Sequence, residues 1–138
     1  MPHVIIEYSA NVASGGGGGV DIDALVRSVH RAALATGIAP MDGLRTRAVG
    51  RDHYAIADEH PDNGFVAVVA RLGAGRSHAD KRALVGALMD AVVEAAGDAR
   101  HDLMFSVEYQ DIDPDFRLNT NHVRARVAER AAERGAPA

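Results

Sequence analysis

Two successive strand–helix–strand units constrain the fold of this chain more than any other feature. In each unit an apolar strand is followed by an amphipathic helix and then by a second strand. Crossovers of this length join parallel strands. We therefore predict an α/β (α+β) fold in which a duplicated β-α-β unit forms a four-stranded mixed sheet with two helices on one face. The predicted strands span residues 3–8, 44–49, 65–72 and 103–109.

Capping residues mark both crossover helices. Asp21 is a typical N-cap for the first helix, and Gly37 is a typical residue for its C-terminal end. Ser77 with Asp80 resembles a capping box at the start of the second helix. A further, C-terminal helix is expected after the fourth strand, at residues 123–134.

The chain has 138 residues, which is short for more than one domain, so residues 1–138 are expected to form a single domain. The five glycines at residues 15–19 predict a flexible surface loop. The thin apolar face of the last helix predicts a frayed tail at about residues 128–138.

Because the two crossover helices cover only one face of the sheet, the other face is expected to be buried by another subunit.

Composition argues against several classes of function. The chain has no cysteines, which rules out disulfides, a thiolate nucleophile and cysteine-ligated metals. A net charge of −4 and an aromatic content of 4% argue against a nucleic-acid partner. No apolar run approaches the roughly 20 residues that span a bilayer, so we expect no membrane association and a cytoplasmic location. The seven histidines lack a convincing metal-ligand spacing, so no metal is expected.

Pro2 is the first candidate for chemistry. Removal of Met1 would leave Pro2 as a secondary amine at the chain terminus, where ordinary amines titrate at about 7.7–8.0. Burial and nearby cations would lower this pKa, because both disfavour the ammonium form. A neutral amine near physiological pH is a usable general base. Many proteins begin Met-Pro for no catalytic reason, so the dipeptide alone decides nothing.

Three arginines are candidates for binding an anion. Arg76 lies in a glycine-rich turn before a helix N-terminus, where free N–H groups and the helix dipole favour an anion. The alternative for Arg76 is a surface side chain in a plain tight turn. Arg45 and Arg47 share one face of a strand, and they repel each other unless an anion or an acidic residue lies nearby. Either they pair with acidic side chains, or at least one binds a substrate carboxylate.

Several segments stand in an order and spacing that point to one family. They are Pro2-His3 at the start of a strand that ends Glu7-Tyr8-Ser9-Ala10-Asn11, Ala35-Thr36-Gly37-Ile38-Ala39-Pro40, Gly43-Leu44-Arg45-Thr46-Arg47, Leu72-Gly73-Ala74-Gly75-Arg76-Ser77 and Asn119-Thr120-Asn121-His122-Val123. Together they resemble the 5-carboxymethyl-2-hydroxymuconate Δ-isomerase family of the tautomerase superfamily. The resemblance runs from Pro2 to about Val127.

The resemblance implies a tautomerase-like domain that assembles as a homotrimer and catalyses a 1,3-proton shift without a cofactor. Pro2 matches the catalytic proline. Arg45 and Arg76 match arginines that bind the carboxylates of an unsaturated di- or tricarboxylate, and Arg47 matches a second arginine of the same strand. The implied substrate is 5-carboxymethyl-2-hydroxymuconate, in the catabolism of homoprotocatechuate. The glycine run and the C-terminal tail depart from the family pattern.

Two other interpretations stay open. The first keeps the fold but changes the chemistry to another keto–enol tautomerase, a decarboxylase or a dehalogenase of small unsaturated acids, because Pro2 and arginines suit all of these. The second is a trimeric binding protein without activity, for which Pro2→Ala would change no measurable function.

Overall fold

The chain folds as two β-α-β units that share one sheet, followed by a C-terminal helix. This computed structural model describes residues 1–14, 19–97 and 102–135. The elements are β1 (His3–Ser9), α1 (Asn11–Ser14), α2 (Ile22–Ala35), β2 (Arg45–Arg51), β3 (Gly64–Gly73), α3 (His78–Ala96), β4 (Leu103–Ile112) and α4 (Val123–Glu133). The predicted fold class is confirmed.

The sheet is mixed, with the strand order β2-β1-β3-β4. The strands joined by each crossover helix, β1 with β2 and β3 with β4, are parallel as predicted. The central strands β1 and β3 are antiparallel, with His3 opposite Arg71. This pairing brings the start of β1 beside the end of β3, while the parallel pairing sets Arg45 of β2 opposite His3. One end of the sheet thus gathers the regions that contain Pro2, Arg45 and Arg76.

The core lies between one face of the sheet and the two long helices. Both helices begin at the predicted caps, since the Asp21 and Ser77 side chains accept hydrogen bonds from the backbone N–H groups of Ala24 and Asp80, each at 3.1 Å. The strand alternation of period two sends every second side chain to this face. The fully buried core residues include Val4, Ile6, Leu25, Val29, Val66, Leu72, Leu84, Leu88 and Val92.

The opposite face of the sheet has no covering element in the described part of a single chain. His3 and Ile5 of β1 and Val69 of β3 are half-buried there. Arg45 and Arg47 are exposed on the same face, two residues apart on β2, as the alternation predicted. We call this surface the open face.

Two short helical turns lie between the predicted elements. Val12 of α1 is fully buried, and the Asn11 side chain donates to the Asn63 carbonyl at 2.8 Å, so side-chain contacts hold α1 in place. A 3₁₀ turn spans Pro114–Phe116. The glycine run falls largely outside the described residues, as do residues 136–138, and the flexibility of the loop and the fraying of the tail both stay predictions.

Candidate active site

Pro2 is buried at the end of the sheet, directly before β1. Its carbonyl oxygen accepts a hydrogen bond from the Arg45 backbone N–H at 3.2 Å, so the pairing of β1 with β2 fixes its position. Pro2 lines a cleft of about 180 Å³. The lining residues of this Pro2 cleft are Met1, Pro2, Pro40, Gly43, Gly73, Ala74, Arg76, Arg117 and Arg124. Three of them are cationic and none is acidic, so the cleft favours an anion.

Arg76 enters the Pro2 cleft from the turn between β3 and α3. Gly75 has a φ of 111°, which only glycine adopts readily, and it allows the tight turn ahead of the Ser77 cap. Arg76 Nη1 donates to the Gly73 carbonyl at 2.8 Å, and Nη2 donates to the Ile38 carbonyl at 3.2 Å. Each terminal nitrogen keeps a second N–H group, so the guanidinium is held in place with donors to spare for a ligand.

Arg117 and Arg124 are cleft residues that the sequence did not point to. Arg117 follows the 3₁₀ turn, and Arg124 lies at the start of α4. Both are distant in sequence from the Pro2 strand and from the turn that contains Arg76, so neither of those motifs predicts them. The Arg124 Nε donates to Asp42 at 2.7 Å, and the Asn121 side chain donates to the Asp42 carbonyl at 2.7 Å. These contacts hold the start of α4 against the cleft.

Arg45 and Arg47 surround His3 rather than an acidic side chain. Arg45 Nη2 lies 3.0 Å from His3 Nε2, and Arg47 Nη1 lies 3.1 Å from His3 Nδ1. Arg45 also donates to the Met1 carbonyl at 3.3 Å and lines an adjacent cleft on the other side of Met1. The residues that line the Pro2 cleft include neither arginine, so the structure brings Arg76 to Pro2 and places Arg45 and Arg47 on the open face.

His3 is neutral at neutral pH. Burial, and then the charges of Arg45, Arg47 and Arg71, lower its pKa from 6.5 to about 4. A neutral imidazole has one acceptor nitrogen, so its tautomer selects which of Arg45 and Arg47 donates to it.

A titration of the His3 imidazole by NMR in the folded protein is expected to have a midpoint at about 4. In concentrated urea the same resonance should titrate at about 6.5, because the arginines are no longer adjacent. Since the unfolded chain then binds a proton at a higher pH than the folded chain does, His3 destabilises the fold as the pH falls from about 6.5 towards 4. A folded-state midpoint near 6.5 would contradict this arrangement.

The cleft also disfavours an ammonium group at the start of the chain. The pKa of the Met1 amine is lowered by burial first, and then by the charges of Arg117, Arg45, Arg76 and Arg124. Both effects favour the neutral form of an amine at this end of the chain.

Neither a metal centre nor a membrane-spanning helix is found in the part of the chain that the structure describes. No group of three or more His, Asp or Glu side chains is placed to hold a metal ion. No helix is long and apolar enough to cross a bilayer.

Comparison with known proteins assigns the family. The family described as 5-carboxymethyl-2-hydroxymuconate isomerase matches residues 2–127. The chain belongs to this family. A 5-carboxymethyl-2-hydroxymuconate Delta-isomerase of Escherichia coli is 30% identical over 128 residues, which cover 91% of this chain and 98% of that protein.

Solved structures agree with membership in the 5-carboxymethyl-2-hydroxymuconate isomerase family. The crystal structure of such an isomerase from Deinococcus radiodurans R1 has a TM-score of 0.79 and 31% identity, and the match covers 91% of this chain and 93% of that one. A fused 4-OT described as a symmetric trimer has 18% identity and a TM-score of 0.65, over 89% of this chain and 98% of that one, which shows the shared tautomerase fold. The chain is an isomerase of the tautomerase superfamily.

Proposed function

We propose that the chain isomerises 5-carboxymethyl-2-hydroxymuconate by a 1,3-proton shift, with the amine of Pro2 as general base and acid. The observation that carries the proposal is the burial of Pro2 in a cleft with three arginines and no acidic residue. A multiply charged carboxylate substrate suits such a cleft. The proposal requires removal of Met1, because only then is the Pro2 nitrogen a free amine. The pathway would be homoprotocatechuate catabolism, and a cytoplasmic location stays a prediction.

The proposed mechanism uses one group for both proton transfers. Neutral Pro2 takes a proton from the 2-hydroxyl group or an adjacent carbon, and the electron pair delocalises into a dienolate. The resulting prolinium returns the proton to a carbon further along the conjugated system, so the product is an isomer and the amine is regenerated. In this mechanism Arg76 stabilises the negative charge as it spreads towards a carboxylate.

The test is the ultraviolet absorbance of 5-carboxymethyl-2-hydroxymuconate mixed with protein whose loss of Met1 has been confirmed by intact mass. Rapid loss of the absorbance of the conjugated dienol supports the proposal. A rate equal to the uncatalysed background, with the Pro2 amine confirmed free, would exclude this substrate. Assays on other small unsaturated acids would then separate a keto–enol tautomerase, a decarboxylase or a dehalogenase from a binding protein.

We also propose that three copies of the chain assemble through the open face. Ile5 and Val69 lie at its centre, and a sheet face with apolar residues at its centre is normally covered. The trimeric fused 4-OT has the same fold, which is consistent with this arrangement. Sedimentation equilibrium at micromolar concentration is expected to give three chain masses. A single chain mass for an active enzyme would refute the trimer.

A further inference from the structure

Arg117 is the cation of the Pro2 cleft that has no internal partner. In the part of the chain that the structure describes, no carboxylate and no hydrogen-bond acceptor meets its guanidinium, although the residue is half-buried. The other two arginines of the cleft each have partners within the chain. Arg76 donates to the Ile38 and Gly73 carbonyls, and Arg124 is paired with Asp42. The Arg117 guanidinium therefore has donors free to bind an anion that enters the cleft.

Gly73 contacts both Arg117 and Arg76. A Cβ atom on Gly73 would lie 2.6 Å from Arg117 Nη1 and 3.2 Å from Nη2, so the guanidinium packs against bare backbone that only glycine provides. The carbonyl of the same residue accepts the hydrogen bond from Arg76 Nη1 at 2.8 Å. Two guanidinium groups therefore contact one residue, and their like charges repel unless an anion lies nearby.

We infer that Arg117 is a substrate-binding residue. Together with Arg76 it binds one carboxylate of the substrate beside Pro2. The inference rests on the proposed function and adds a residue to its site. Guanidinium groups bind carboxylates through paired N–H donors, so two of them fix the orientation of the bound acid as well as its charge. Gly73 acts as the positioning residue, because its missing side chain leaves the space that the Arg117 guanidinium occupies.

A competing role for Arg117 is purely electrostatic. Among the charges that lower the pKa of the Met1 amine, that of Arg117 has the largest effect. A residue acting in this way alone would change the pH profile of the reaction and leave the affinity for substrate unchanged. The affinity must therefore be measured apart from turnover.

The experiment measures substrate binding in a Pro2→Ala background, where turnover of the ligand is strongly slowed. Calorimetric titration with 5-carboxymethyl-2-hydroxymuconate is expected to give a Kd that is about 10–100-fold weaker when Arg117→Gln is added, since a hydrogen bond to a charged group is lost. Gly73→Ala is expected to weaken binding in the same direction without removing a charge. Arg117→Lys should recover only part of the affinity, because an ammonium lacks the forked donors.

Arg126→Gln is the matched control, because Arg126 is an exposed arginine of α4 paired with Glu129. Circular dichroism would show that each variant is folded. An unchanged Kd for folded Arg117→Gln would overturn the inference while leaving the proposed function intact, and so would an equal loss in Arg126→Gln. If the protein with Pro2 intact fails to isomerise the substrate but Arg117→Gln still weakens binding, the proposed activity fails and the binding role of Arg117 stands.

Discussion

Pro2→Ala is expected to lower kcat/KM for isomerisation by about 10²–10⁴-fold, the usual contribution of a general base. The pyrrolidine ring of a terminal proline fixes the direction of its nitrogen, whereas the primary amine of alanine rotates. In addition, burial of Pro2 leaves the alanine variant with a gap where the ring lay. The measurement is the initial rate of absorbance change at saturating and at limiting substrate.

Pro61→Ala is the matched control, because Pro61 is an exposed proline of the turn before β3. Its rate should equal that of the unmodified protein. Intact mass must show that Met1 is absent from every sample, since retained Met1 converts the Pro2 nitrogen into an amide without basicity. Equal activities of the Pro2→Ala and wild-type proteins would remove Pro2 from the mechanism.

The pH profile gives an independent check on the same amine. Because the neutral form is the base, kcat/KM should rise with pH as the amine loses its proton. Burial and four nearby arginines lower the pKa of the Met1 amine, and we expect them to act likewise on the adjacent Pro2 amine, so the midpoint should lie below the 7.7–8.0 of ordinary chain termini. A midpoint at or above 8 would show that the arginines do not act on the catalytic group.

The sheet and helices could be predicted because their signals are local. Asp21 and Ser77 cap the helices where expected, and the crossover lengths correctly gave parallel pairs. The antiparallel pairing of β1 with β3 depends on packing between the halves, and no local pattern specifies it. The short helix at Asn11–Ser14 could not be predicted from the sequence, because a single turn is too short to show a periodicity.

The candidate site residues likewise include some with a local sequence signal and some without one. Arg76 could be singled out because a glycine-rich turn before a helix is visible in the sequence. The shared face of Arg45 and Arg47 also follows from strand alternation, but their contact with His3 depends on the register of two strands. Arg117 reaches the Pro2 cleft only through the path of the chain after β4, so no sequence spacing relates it to Pro2. Only the structure shows which residues that are distant in sequence lie together in the Pro2 cleft.

Arg76→Gln is expected to lower kcat/KM by about 10²–10³-fold, the usual cost of removing one donor that stabilises developing negative charge. The structure explains why Arg76 can serve in this way. Its guanidinium is fixed by the Ile38 and Gly73 carbonyls before substrate arrives, so little reorganisation accompanies the reaction. Rates should be compared at the high-pH plateau, because loss of this cation also raises the pKa of the nearby amine.

Two further variants separate geometry from charge. Arg76→Lys keeps the charge but cannot donate to two carbonyls while presenting forked N–H groups to a carboxylate, so it should recover less than a tenth of the lost activity. Arg82→Gln removes an exposed cation from the next turn of α3 and should retain full activity. If Arg76→Lys restores the wild-type rate, the fixed hydrogen bonds are dispensable and charge alone accounts for the role of Arg76. If folded Arg76→Gln keeps the wild-type rate at the plateau, stabilisation of the dienolate must come from Arg117 and Arg124 instead.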